Sequence, residues 1–174
     1  MTSPEYKDRK YKVVSYNENW PKQFAVEAEK LKSIFGMDAV GIEHIGSSAV
    51  PGMAGKPTID ILVLVNDIAV VDKYNQQMET IGYKSKGAYV MPDSRLFVKE
   101  KDNLVFVNTH FFEENHPHVK NMVGLRDYFR TQPEAVKEYS DFKVKLYNKF
   151  KNDYAQYRKL KDVYMNDLKR KIGL

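Results

Sequence analysis

Apolar residues along the chain follow two different rhythms, and the change between them predicts the architecture. Trp20, Phe24, Ala28, Leu31 and Phe35 recur at helical spacing. Asn17 or Asn19 is placed to cap that helix, Pro21 sits in its first turn, and Gly36 ends it. Residues 11–16 and 40–45 read as strands, the first at an edge. Residues 59–65 form a nearly continuous apolar run, the pattern of a central strand covered on both faces. Asp67 is placed to cap a helix with apolar Ile68, Val71, Met78 and Ile81, which Gly82 closes. Residues 83–86, 96–99 and 104–112 predict three further strands, with a turn at 91–94. From about Asn115 the helical period takes over. The "TQPE" at 131–134 matches a capping box, followed by Ala135, Tyr139, Phe142, Leu146 and Phe150 on one buried face. Tyr157, Leu160, Tyr164, Leu168 and Ile172 mark another. The expected fold class is α+β, with a mixed β-sheet flanked by helices and a helical C-terminal third. The expected organisation is one domain over residues 1–174.

Composition narrows the setting. The chain has 174 residues, 43% of them hydrophobic, enough for a packed interior. No stretch approaches the roughly 20 apolar residues of a membrane span. The first dozen residues lack the apolar segment of a secretory signal. The absence of cysteine excludes disulfides and thiolate metal sites. A soluble, cytoplasmic protein with no membrane partner is expected. The net charge of +5 is uneven, since residues 115–174 hold 14 lysines and arginines against 7 acids. That asymmetry suits either solvated helix faces or attraction of a phosphate-bearing ligand. No ribonucleoprotein aromatic strand or basic zipper is present, so nucleic acid is not the expected partner. Nucleic-acid association would rest on the basic C-terminal region alone.

The segment from His44 to Val65, "HIGSSAVPGMAGKPTIDILVLV", holds the candidate chemistry. Gly46 lets the backbone bend after a strand, while Ser47 and Ser48 offer hydroxyls and N–H donors. Such a turn can cradle a phosphate. Lys56 adds a cation ten residues on. Asp60 shares a strand face with Leu62 and Leu64, where an ionised carboxylate needs a partner. A divalent metal, Lys56 or an arginine would serve. The plainer alternative is a tight connection between two strands, with Asp60 capping a turn or pairing with a lysine.

"GSSAVPGMAGKPTIDILV" resembles the signature of the GrpB family, which is similar to the nucleotidyltransferase superfamily that includes DNA polymerase beta. "VVSYNENWPKQFAVEAEKLKSIFG", "GLRDYFRTQPEAVKEYSDFKVKL" and "YRKLKDVYM" resemble further family segments in the same order. The resemblance implies a nucleotidyltransferase-like sheet in which Gly46, Ser47 and Ser48 hold nucleotide phosphates. It also implies that Asp60 binds Mg²⁺ or another divalent cation. Lys143, Tyr157 and Lys161 stand at matching family positions. His110 resembles the family's histidine on the corresponding strand and is the candidate to complete the metal site and to act as a base. One departure matters. The superfamily carries a second acid two residues after the first, and here that position is Leu62.

Arg126 and Arg130 are four apart, so one helical face presents both guanidiniums. They line a cationic cleft, or Arg126 pairs with Asp127 or Glu134, or it neutralises Asp60. The expectation is a protein that binds a nucleotide or other phosphorylated small molecule. Metal-dependent nucleotidyl transfer is the first function, and a non-catalytic binding module is the alternative favoured by Leu62.

Overall fold

The apolar run Ile59–Val65 forms strand β2, and Ile61, Leu62, Val63 and Val65 in it have no exposed surface. Burial on both faces is what that pattern predicts. The computed structural model describes residues 9–174. On one side of β2 lies β1 (Ala39–Ile45), antiparallel to it. On the other lies β5 (Leu104–Glu113), parallel to it. β4 (Arg95–Lys101) and the short β3 (Lys84–Ser85) continue the sheet antiparallel, giving the order β1-β2-β5-β4-β3. The sheet is therefore mixed, as expected.

Register decides which side chains share a face. Asp60 stands opposite Asn108, and Leu62 opposite His110. Across the other edge of β2, Ile45 stands opposite Asp60 and Glu43 opposite Leu62. Alternation then puts Glu43, Ile45, Asp60, Leu62, Asn108 and His110 on one face. The opposite face carries Ile59, Ile61, Val63, Val65, Val107 and Phe111. These pack against Trp20, Leu31 and Phe35 of α1 (Trp20–Phe35) in the largest core cluster.

Three helices stand over the first face: α3 (Pro117–Thr131), α4 (Pro133–Lys149) and α5 (Tyr154–Ile172). Val119, Met122 and Val123 of α3 pack on Ile45, Leu62 and Phe112. Phe129, Tyr139 and Tyr164 close over Val50 and Met53 of the β1–β2 connection. No helix among the described residues is long and apolar enough to cross a membrane.

Four local expectations differ from the structure. Residues 11–16 contribute a single bridge, Val14 to Gly55, instead of a strand, because their partner is the irregular β1–β2 connection. Asp67 caps as expected, accepting from Ala69 N at 2.9 Å, but Ile68–Tyr74 winds as a 3₁₀ helix before α2 (Asn75–Thr80). The β-branched residues at 68, 70 and 71 favour an α-helix poorly. Only two residues of the predicted strand at 83–86 pair. The 131–134 capping box does not form. Thr131 ends α3 with its hydroxyl donating to Tyr128 O, and Gln132 precedes Pro133 without a side-chain cap bond. A proline disfavours helical geometry in the residue before it, which breaks the helix there.

Candidate functional site

Gly46 follows β1 with φ +72° and opens the 3₁₀ turn Ser47–Ala49. A Cβ on Gly46 would lie 2.6 Å from Asp60 Oδ2, so only glycine allows the turn to rest on that carboxylate. Gly55 plays the same part on the returning limb, where a Cβ would meet Ser47 Cβ at 2.7 Å. The turn and Asp60 thus adjoin. Asp60 is partly exposed, and its Oδ1 accepts from Asn108 Nδ2 at 2.8 Å.

A cavity of about 380 Å³ opens at this junction, between the sheet and the C-terminal helices. Gly46, Ser47, Lys56, Asp60, His110, Arg126, Lys143, Tyr157 and Lys161 all line it, as do Arg9, Asn108, Tyr154 and Arg158, which the sequence did not single out. Asn108 carried a readable signal, since it lies two residues before His110 and so on the same strand face.

Ser48 and Arg130 fall outside the cavity. Ser48 Oγ pairs with His44 Nε2 at 2.9 Å, and the His44 ring stacks on Phe24. Burial draws the His44 imidazole down to about 4, with Asp60 opposing and Arg130 and Arg126 assisting. Arg130 Nε donates to Ala49 O at 2.9 Å and so supports the turn from behind. A wider groove of about 980 Å³ runs on that side past His44, Arg130 and Ser140, away from Asp60.

Each cation in the cavity has its own anchor. Lys143, on α4, is 2% exposed; its Nζ donates to Ser47 Oγ at 2.8 Å and lies 4.3 Å from the centre of the Tyr139 ring. Burial, and then Lys161, push its ammonium well below the ordinary lysine value, while Asp60 opposes the shift. Lys56 Nζ donates to Tyr154 OH at 3.0 Å. Burial alone would raise the Tyr154 phenol, but Lys56 and Arg9 outweigh it and bring it to about 8. Lys161 Nζ lies 3.3 Å from Asp162 Oδ1. Tyr157 packs with Tyr11 and Tyr154, and burial raises its phenol. Arg126 does not neutralise Asp60. It donates to Glu43 Oε2 at 2.5 Å, His44 O at 3.1 Å and Asp127 Oδ1 at 2.8 Å.

The family model for GrpB protein matches residues 10–171. The chain belongs to the GrpB family. The UPF0157 protein YqkA of Bacillus subtilis is 35% identical over 160 residues, which cover 92% of this chain and 46% of that protein. This GrpB chain therefore spans about half the length of that relative. The crystal structure of conserved protein GrpB from Enterococcus faecalis superposes with a TM-score of 0.86 at 28% identity, over 92% of this chain and 96% of that one. A cytoplasmic RNA terminal U-transferase superposes with a TM-score of 0.52 at 14% identity, over 75% of this chain and 41% of that one. The last likeness is one of fold alone.

The resemblance read from the sequence implies a divalent cation, and the donors of this GrpB chain can be set against that expectation. Two-metal phosphoryl transfer needs carboxylates that bridge the ions. Here Asp60 is a single carboxylate with one oxygen already bonded to Asn108. The second position is Leu62, which has no exposed surface and packs with Ile45 and Phe112. His110 lies across from Leu62 on the same face, and its buried Nδ1 has no hydrogen-bond partner among the described residues. Burial pushes its imidazole below the ordinary histidine value. Among the described residues, no three histidine, aspartate or glutamate side chains gather where one ion could hold them. These donors do not fit the two-ion centre.

Proposed function

We propose that the cavity beside the Gly46 turn binds the phosphate groups of a nucleotide or another phosphorylated small molecule. One observation carries this reading. Lys143 is buried at the turn, and among the described residues no carboxylate lies within ion-pair distance of it. A buried ammonium is unfavourable until an anion faces it. A phosphate beside Ser47 would supply that anion. The surroundings agree, since among the described residues Arg9, Lys56, Arg126, Arg158 and Lys161 join Lys143 against only Asp60 and Asp162. A fold relative named as an RNA terminal U-transferase favours the nucleotide class of ligand.

The test is thermal unfolding of the protein with ATP, GTP, CTP, UTP and inorganic pyrophosphate. A ligand at a hundred times its Kd adds about 2.7 kcal/mol of stability. A saturable rise in Tm with at least one of these compounds is expected. No rise with any of them overturns the reading.

Nucleotidyl transfer to an acceptor is the second reading, and His110 favours it. The His110 ring lines the cavity together with Asp60, and an imidazole so placed can take a proton from an acceptor hydroxyl. Pyrophosphate release from a bound nucleoside triphosphate, lost in His110→Ala while binding persists, is the expected mark of this activity.

A further inference from the structure

Resting on the phosphate-binding reading, we propose that Lys143, facing a bound phosphate, supplies at the turn the positive charge that a divalent cation supplies in two-metal sites. Phosphate recognition by this chain is then independent of metal.

The Gly46 turn is flanked on both sides. Asp60 Oδ2 would stand 2.6 Å from a Cβ on Gly46, and Lys143 Nζ bonds Ser47 Oγ at 2.8 Å. A Cβ on Gly55 would lie 3.7 Å from the same Nζ, so the returning limb of the connection also closes on the ammonium. The Tyr139 ring covers it, and its face attracts a cation. The ammonium is thereby held at one place, on a helix, beside the turn that would receive a phosphate.

A metal ion in such a site neutralises phosphate oxygens and fixes their position. A compact ammonium in a low-dielectric cavity does both. The place a second acid would need has meanwhile gone to packing. Leu62 is part of the apolar contact through which Val119, Met122 and Val123 seat α3 on the sheet. Asp60 keeps a role that needs no ion, since Asn108 holds its Oδ1 while the turn rests on its Oδ2.

The test is calorimetric titration of ATP and of inorganic pyrophosphate into the protein, in buffer with excess EDTA and in buffer with excess Mg²⁺ or Mn²⁺. It is run on the wild-type chain and on Lys143→Met. For the wild type, the same Kd with and without divalent ion is expected. For Lys143→Met, affinity falls about 10- to 100-fold in EDTA, the worth of a charge-assisted hydrogen bond. Wild-type binding seen only with a divalent ion overturns this inference and leaves the phosphate reading standing. Undiminished binding by Lys143→Met also overturns it. Absence of binding in every buffer overturns both. The metal comparison needs no variant, so it decides the matter even if Lys143→Met does not fold.

Discussion

Gly46 carries the tightest constraint at the site, because it combines φ +72° with a contact that leaves no room for a methyl group. Gly46→Ala is expected to destabilise the fold by about 1–3 kcal/mol, measured by denaturant unfolding. The cost is smaller when Asp60→Ala is made as well, since only the backbone part then remains. The residues forming this junction were readable from sequence, but their partners were not. Of the protein partners expected for Asp60, Lys56 or an arginine, neither pairs with it among the described residues, and Asn108 does. Lys56 reaches Tyr154, 98 residues away. Glu27 is a sharper case: the helical pattern put Ala28 on the apolar face, yet it is Glu27 that is buried, in bonds from Lys99 at 2.7 Å and Tyr83 at 2.8 Å. Pairings across such distances depend on which elements meet, which local period cannot specify.

At the scale of elements, the β1–β2 connection is stitched to the C-terminal helices. Ala54 N donates to Ser140 Oγ at 3.0 Å, Arg130 holds Ala49 O, Lys143 holds Ser47, and Lys56 holds the start of α5 through Tyr154. Ser140→Ala is expected to cost about 1 kcal/mol and to speed hydrogen exchange of the Ala54 amide, while the amides of β2 stay protected. Helices α1, α4 and α5 and strands β1, β2 and β5 were legible because each carries a full apolar period. Residues 11–16 and 83–86 were not, because a short alternating run looks the same whether or not a partner strand is beside it. Arg126 and Arg130 lie on one helix, as their spacing predicts. Which element lay opposite each of them was a matter of tertiary contact, and only Arg126 meets the cavity.

For the molecule as a whole, acid stability has a definite source. His44 titrates near 6.5 when exposed and about 4 in the fold, chiefly because burial disfavours its charged form. Between those values the unfolded chain takes up a proton that the folded chain refuses. Stability is therefore fully present above about 6.5 and declines as pH falls towards 4, by up to about 3 kcal/mol. Urea unfolding across that range should show the slope, and His44→Gln should flatten it. The charge split along the sequence was legible at this scale too. The basic C-terminal region does face the acid-bearing sheet, though Arg9 and Lys56 come from the other part of the chain. The mixed sheet was legible through the order of family segments, and the want of a second acid was legible at Leu62, whereas the apolar packing that Leu62 serves was not.

The parallel pairing of β2 with β5 has a consequence for how the chain is made. Parallel neighbours cannot be joined by a tight hairpin, and here β3 and β4 lie between them in sequence. During synthesis, β2 can pair with β1 at once, but its other edge waits until β5 leaves the ribosome. Its apolar run stays open to aggregation for that interval. Kinetically, the cavity beside the Gly46 turn is then the last thing to exist, since its floor needs β5 and its roof needs α5.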